Sequence, residues 1–144
     1  MQTLFSVRIP FPMYTRTIRS TGKIANSLCT INNIPVWYRW VGAKIKTQFK
    51  QDLEDMYVPE PKEQYESLTI HYRIIRDSKK RIDADSAAMI LKWFQDHLEA
   101  TGYVKDDKHV NVQSFPTVID SAQSETMIEI RVQAGSADWD KQEQ

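Results

Sequence analysis

The sequence predicts a single α+β domain in which a mixed β-sheet packs with two main helices. Three observations point there. Three stretches alternate apolar and polar residues with a strand's period of two, and a fourth reads as a strand broken by a proline. Two longer stretches repeat apolar residues with a helical period. The elements interleave as strand, long loop, helix, strand, helix, strand, strand, with no internal repeat and no dividing linker. A chain of 144 residues suits one such unit, taken as residues 1–134, followed by a polar tail over 135–144.

The first strand runs from Thr3 to Ile9, with Leu4, Ser6 and Arg8 on one side and Phe5, Val7 and Ile9 on the other; Pro10 and Pro12 stop it. From Phe11 to Asn33 the chain reads as irregular, punctuated by Ser20-Thr21-Gly22 and Asn32-Asn33. A loop of that length in a small domain is more often functional than idle. A first helix starts at Pro35, where proline costs no hydrogen bond. Trp37, Val41, Ile45, Phe49 and Leu53 form its apolar face down to Met56, and Pro59 and Pro61 follow its end. The second strand carries Leu68, Ile70, Tyr72 and Ile74 on one face. The second helix spans Ser86 to Ala100, with Ala87, Ile90, Leu91, Phe94 and Leu98 inward and Gly102 as its stop. An aspartate-rich turn over 103–110 leads to a strand from Val112 to Ile119, broken at Pro116. The last strand, Thr126 to Val132, puts Ile128, Ile130 and Val132 on one face.

Composition excludes several classes. The only cysteine, Cys29, rules out an internal disulfide and a thiolate zinc cage, and reads as a buried or loop thiol. Four scattered glycines (Gly22, Gly42, Gly102, Gly135) leave no phosphate-cradling loop, so no nucleotide cofactor is expected. No apolar run is long enough to span a membrane, and the opening residues lack a secretory leader's apolar core; the expectation is a cytoplasmic protein without a membrane partner. His71, His97 and His109 show no metal-ligand spacing, and His97 reads as exposed.

Nineteen basic and nineteen acidic side chains cancel, but not locally. Residues 1–50 hold eight cations and no carboxylate; the rest hold eleven cations and all nineteen carboxylates. Such a split fits a chain that meets a polyanion with one surface and gathers carboxylates elsewhere, although chance alone also produces it.

Two acidic clusters bracket the second helix: Asp83-Ala84-Asp85 at its start and Asp106-Asp107 past its end. The two ends of one helix cannot share an ion, so the chain after Gly102 must return beside the helix start if the carboxylates are to meet. Clustered carboxylates repel one another unless a cation joins them, and oxygen ligands select Mg²⁺ or Mn²⁺ over zinc. Lys79, Lys80 and Arg81 directly precede the first cluster and would hold a phosphate backbone, together with Arg16, Arg19 and Lys23 of the long loop. Each piece also has a plain structural reading. Asp85 or Ser86 would serve as a helix N-cap, Asp106-Asp107 as an ordinary turn, and Lys79 to Arg81 as a solvated strand end.

Taken together, these residues resemble the RusA family of Holliday junction resolvases. The matching stretches are Lys80-Arg81-Ile82-Asp83-Ala84-Asp85-Ser86 and the run from Lys92 through Gly102-Tyr103 to Asp106-Asp107-Lys108-His109-Val110. The family shows a basic run, Asp-x-Asp-Asn, a helical lysine, a helix ending at Gly-aromatic, and Asp-Asp-x-x-Val. The opening strand with Pro10-Phe11-Pro12 is similar more loosely. By this resemblance Asp83, Asp85 and Asp107 are the catalytic metal-binding aspartates and Lys92 the helical lysine. Two departures stand out: Ser86 replaces the usual asparagine, and the interval from Asp85 to Lys92 is longer than the family's, with Met89 at the ungapped position.

The resemblance implies a RusA-like homodimer with two active sites. It would cut opposed strands of branched DNA, a four-way junction, with Mg²⁺ or Mn²⁺, in the recombination and repair of a bacterial cell or phage. Candidate dimer surfaces are the first strand, Trp37-Tyr38-Arg39-Trp40 and the last strand. A non-catalytic branched-DNA binder derived from such a nuclease is the alternative, and a protein-interaction domain with incidental acidic clusters is a third reading.

Overall fold

Alternating β-branched residues at both ends of the chain and two amphipathic stretches between them settle into strands and helices in a computed structural model, which describes residues 2–31, 34–77, 82, 84–114, 119–121 and 125–135. Strand β1 (Gln2–Pro10) is followed by β2 (Met13–Thr17) and β3 (Ile24–Leu28). Helix α1 (Ile34–Asp52) continues into one π-helical turn, Leu53–Tyr57. Then come β4 (Leu68–Asp77), a 3₁₀ turn (Ala84–Ala87), α2 (Ala88–Ala100), a 3₁₀ turn (Asp107–His109), β5 (Val110–Ser114), β6 (Ile119–Ser121) and β7 (Met127–Ala134). No helix among the described residues is long and apolar enough to cross a membrane.

The main sheet is mixed and runs β1-β7-β4-β5, with β6 pairing β4 beyond β5. The last strand in sequence is therefore central, antiparallel to β1 through Val7↔Ile130 and to β4 through Tyr72↔Ile130. Strands β4 and β5 run parallel, from Leu68↔Val110 to Tyr72↔Ser114, and β6 extends the parallel pairing at Ile75↔Ile119. A parallel pair needs a crossover, which α2 supplies.

Period-two alternation gives the sheet one apolar face. Leu68, Ile70 and Ile74 of β4 and Ile128, Ile130 and Val132 of β7 are fully buried, together with Trp37 and Leu53 of the α1 region and Ile90, Phe94 and Leu98 of α2. Trp93 joins the two helices, its ring 6.1 Å from Trp37 and 6.0 Å from Phe49. Gly42 sits inside α1 because a Cβ there would lie 2.8 Å from the Tyr38 ring.

The segment read as irregular over Phe11 to Asn33 is largely a β-hairpin. Strands β2 and β3 pair from Met13↔Leu28 to Thr17↔Ile24 and form a separate two-stranded sheet. Its turn closes by hydrogen bonds from Ile18 N to Lys23 O and from Gly22 N to Ile18 O, both 2.8 Å. Gly22 supplies the left-handed φ of +67° that this turn requires. Only Tyr14 and Leu28 of these strands are buried, so the alternation that signals a strand is too sparse to read.

The opposite sheet face is polar. Arg8, Glu129 and Arg73 lie side by side on three adjacent strands, with Glu129 accepting from Arg8 Nε at 2.9 Å and from Arg73 Nε at 2.7 Å. Burial alone would push the Glu129 carboxyl up, but the hydrogen bonds and charges of the two guanidinium groups outweigh it and hold it below 4.5. A depressed carboxyl contributes stability that is complete above its unfolded value and lost as pH falls through the folded one. Glu129→Gln should therefore cost about 1–2 kcal/mol in urea unfolding at pH 7. The gap to wild type should shrink in acid below pH 4.5; an unchanged gap would remove the pair from the account.

Candidate functional site

Helix α2 organises the carboxylates, and its two ends do different things. At its head, Ile82, Ser86 and Ala87 are buried and anchor the 3₁₀ turn, while Asp85 is exposed. The α-helical N-cap position is Ala87 and carries no side-chain cap bond, so Asp85 does not cap α2. Among the described residues its carboxylate has no hydrogen-bond or ion-pair partner. An exposed carboxylate beside a helix N-terminus is favoured by the helix dipole and open to a ligand. Asp83, Lys79, Lys80 and Arg81 lie outside the described residues.

At the foot, Gly102 takes a φ of +88° and ends the helix, with Tyr103 N bonded to Leu98 O at 2.9 Å. The chain does not return to the helix head. Tyr103 O accepts from Tyr65 N at 2.8 Å, and six residues after Val104 the chain enters β5 beside Leu68, at the start of β4. Asp107 opens the 3₁₀ turn between these two tethers; its side chain lies outside the described residues. The turn chemistry belongs to Asp106, whose Oδ1 accepts from Lys108 N at 3.1 Å.

Asp85 and Asp107 thus stand at opposite ends of α2, whose 13 residues span about 20 Å. Two oxygens on one Mg²⁺ lie within about 4 Å of each other, so one chain does not bring these two aspartates onto one ion. Among the described residues no three of His, Cys, Asp and Glu gather as a metal-ligating group.

Lys92 is exposed on α2 and pairs with Asp96, Nζ to Oδ1 at 3.3 Å, one turn further from Asp85. Arg16, Arg19 and Lys23 are all exposed on the β2–β3 hairpin and its turn, and Arg16 Nε donates to Ser27 Oγ at 3.2 Å. The three cations expected on one loop do share one element. Of the candidate dimer surfaces, β7 has both edges paired within the sheet and Trp37 is fully buried, its indole bonded to Thr30 O. Strand β1 stands at the sheet edge, and Tyr38 and Trp40 are exposed.

The histidine expected at the surface is buried. His97 is 6% exposed and lines a cleft with Glu54 and Val58 of the segment after α1, Pro59 and Thr101. Desolvation lowers its pKa; Glu54 opposes this and Lys50 reinforces it. Cys29 is buried as read, and burial pushes its thiol up to about 12, which makes it inert.

No family model matches the sequence, and a search of curated proteins finds no match either.

Because folded His97 protonates below the ordinary 6.5, its stability contribution is complete above that pH and lost as pH falls through its lowered value. The urea midpoint should drop between pH 7 and pH 5, and the drop should be smaller in His97→Gln. Equal drops in both proteins would place the pH sensitivity elsewhere.

Proposed function

We propose that the chain is a Mg²⁺-dependent, structure-selective endonuclease that resolves four-way DNA junctions as a homodimer. The observation that carries this reading is Asp85: an exposed carboxylate without a partner among the described residues, on a buried-anchored turn, within a stretch that resembles the RusA motif. An ion held by Asp83, Asp85 and Asp107 takes Asp83 and Asp85 from one chain and Asp107 from the partner subunit, because α2 keeps the latter about 20 Å away within a chain. Dimerisation then completes the site. It also suits a four-way junction, since a two-fold axis presents two identical sites to two like strands.

The donor set is carboxylate oxygen throughout, which suits a hard cation. Bound there, Mg²⁺ would supply an activated water and charge neutralisation at the scissile phosphate. The chain's own residues do the rest. Asp85, with no competing partner among the described residues, keeps its oxygens available. Arg16, Arg19 and Lys23 on the hairpin, with Lys79, Lys80 and Arg81 after β4, hold backbone phosphates. Lys92 pairs with Asp96 on the exposed side of α2, a contact worth less than about 1 kcal/mol, and an ammonium carries donors for more than one acceptor. Ser86 in place of the usual asparagine and the longer Asp85-to-Lys92 interval support a second reading, a branched-DNA binder without cleavage. Activity in the cytoplasm of a bacterial or phage-infected cell belongs to the same proposal.

Incubation of a labelled four-way junction with the protein and Mg²⁺ should give paired symmetric nicks, absent in EDTA. Asp85→Asn should abolish cutting and leave junction binding intact, because removing a negative charge beside DNA does not weaken affinity. A shifted but uncut junction with wild type would establish the binder instead, and no shift would discard both. With six phosphates contacted per site, log affinity should fall against log salt with a slope of about −5.

A further inference from the structure

Helix α1 has a face that neither the core nor the metal-site reading uses. Its apolar residues Trp37, Phe49 and Leu53 are buried against the rest of the fold, with Val41 and Ile45 half-buried beside them. The outward side carries Arg39, Trp40, Ala43, Lys44 and Thr47, all exposed, with Lys46 and Lys50 half-buried at its margin. Trp40 is 78% exposed, the largest exposure among the large apolar side chains described. An indole so placed gives up burial worth a few kcal/mol by area. Nothing in the core requires it there.

Three further features define the face. The Arg39 guanidinium lies over the Trp40 ring, 5.5 Å from its centroid, which steadies the indole on one side. The residues one and two turns further along the same side are Ala43 and Thr47, too short to cover the ring; Thr47 turns its hydroxyl back to Ala43 O. Among the described residues none of Arg39, Lys44, Lys46 and Lys50 is in an ion pair, and the first carboxylate along the chain is Asp52. An open aromatic ring therefore stands among four cations that make no ion pair among the described residues.

We infer that this face of α1 binds single-stranded nucleic acid, with Trp40 stacking on an unpaired base and Arg39, Lys44, Lys46 and Lys50 meeting the flanking phosphates. The charge fits a polyanion. The ring selects single strands, because an indole reaches the flat face of a base only where that base is unstacked. A membrane surface fits poorly, since the helix's apolar face is spent on the core and a lone tryptophan remains. A second copy on the same face would set like charges against each other across a two-fold axis. The inference does not rest on the metal site: it concerns affinity without cleavage, and it stands or falls separately from Asp85 and Asp107.

The test measures fluorescence anisotropy of a labelled 20-nucleotide thymidine strand, and of a duplex of the same length, with the full chain in EDTA. Stacking of one base is worth about 1–3 kcal/mol, so Trp40→Ala should weaken single-strand binding roughly 5- to 150-fold. Duplex affinity should stay within about twofold, and Trp40→Phe should recover most of the loss. Lys44→Gln should weaken both ligands and lower the salt slope by about 1. The inference is overturned if Trp40→Ala leaves single-strand affinity unchanged, or weakens both ligands equally. It is also overturned if the variant shifts the oligomeric state on sizing, which would make Trp40 a contact between copies. Unchanged thermal unfolding of Trp40→Phe guards against a folding artefact.

Discussion

The parallel pairing of β4 with β5 is the constraint on which the rest depends. Parallel neighbours cannot be joined by a tight turn, so the chain must cross over, and the crossover here is α2. That helix buries Ile90, Phe94 and Leu98 on the sheet and, through Trp93, carries α1 as well. It also fixes where the carboxylates stand. The residues leaving β4 reach the helix head with Asp85, and those approaching β5 leave the helix foot with Asp107. Breaking the parallel register would move both.

The same geometry turns oligomeric state into a chemical requirement. Helix α2, about 20 Å long, stands between the two acidic clusters, so on the proposed function a site built from both is shared between subunits. On the polar sheet face the single carboxylate of Glu129 is clamped between Arg8 and Arg73, which leaves the described residues of that face a positive balance. Further cations stand on the β2–β3 hairpin and along the outer side of α1. A net charge of zero is thus the sum of a basic hairpin-and-helix region and an acidic remainder, and it argues against a nucleic-acid partner only if the charges are assumed to be mixed.

Helices and their buried faces were legible because the four-residue spacing from Trp37 to Leu53, and from Ile90 to Leu98, is a local signal. The strand faces of β4 and β7 were legible for the same reason. The β2–β3 hairpin was not, since its strands bury only Tyr14 and Leu28 and otherwise look like polar loop. The central place of β7 was hidden too, because strand order is set by pairings up to 132 residues apart, such as Gln2 with Ala134. The burial of His97 depends on α1 and the segment around Pro59, which its own helix does not announce. Within the candidate site, the residue types and their spacing could be read directly, and the resemblance singles out Asp107; what the sequence did not show is that the neighbouring Asp106 accepts from Lys108 N in the turn. The direction of the chain after Gly102, which decides whether one subunit suffices, is a tertiary fact; only the bond between Tyr65 and Tyr103 and the register at Leu68 reveal it.

Subunit sharing of the two acidic clusters is open to a direct test by mixing. Asp85→Asn and Asp107→Asn are each prepared alone, then co-folded so that mixed dimers form, and assayed on a labelled four-way junction with Mg²⁺. In a shared site, a mixed dimer pairs the intact Asp85 of one chain with the intact Asp107 of the other. One working site should reappear and nick a single strand, while each variant alone stays inactive. If every site draws both aspartates from its own chain, both sites of a mixed dimer remain damaged, and the absence of any restored nicking would contradict the account.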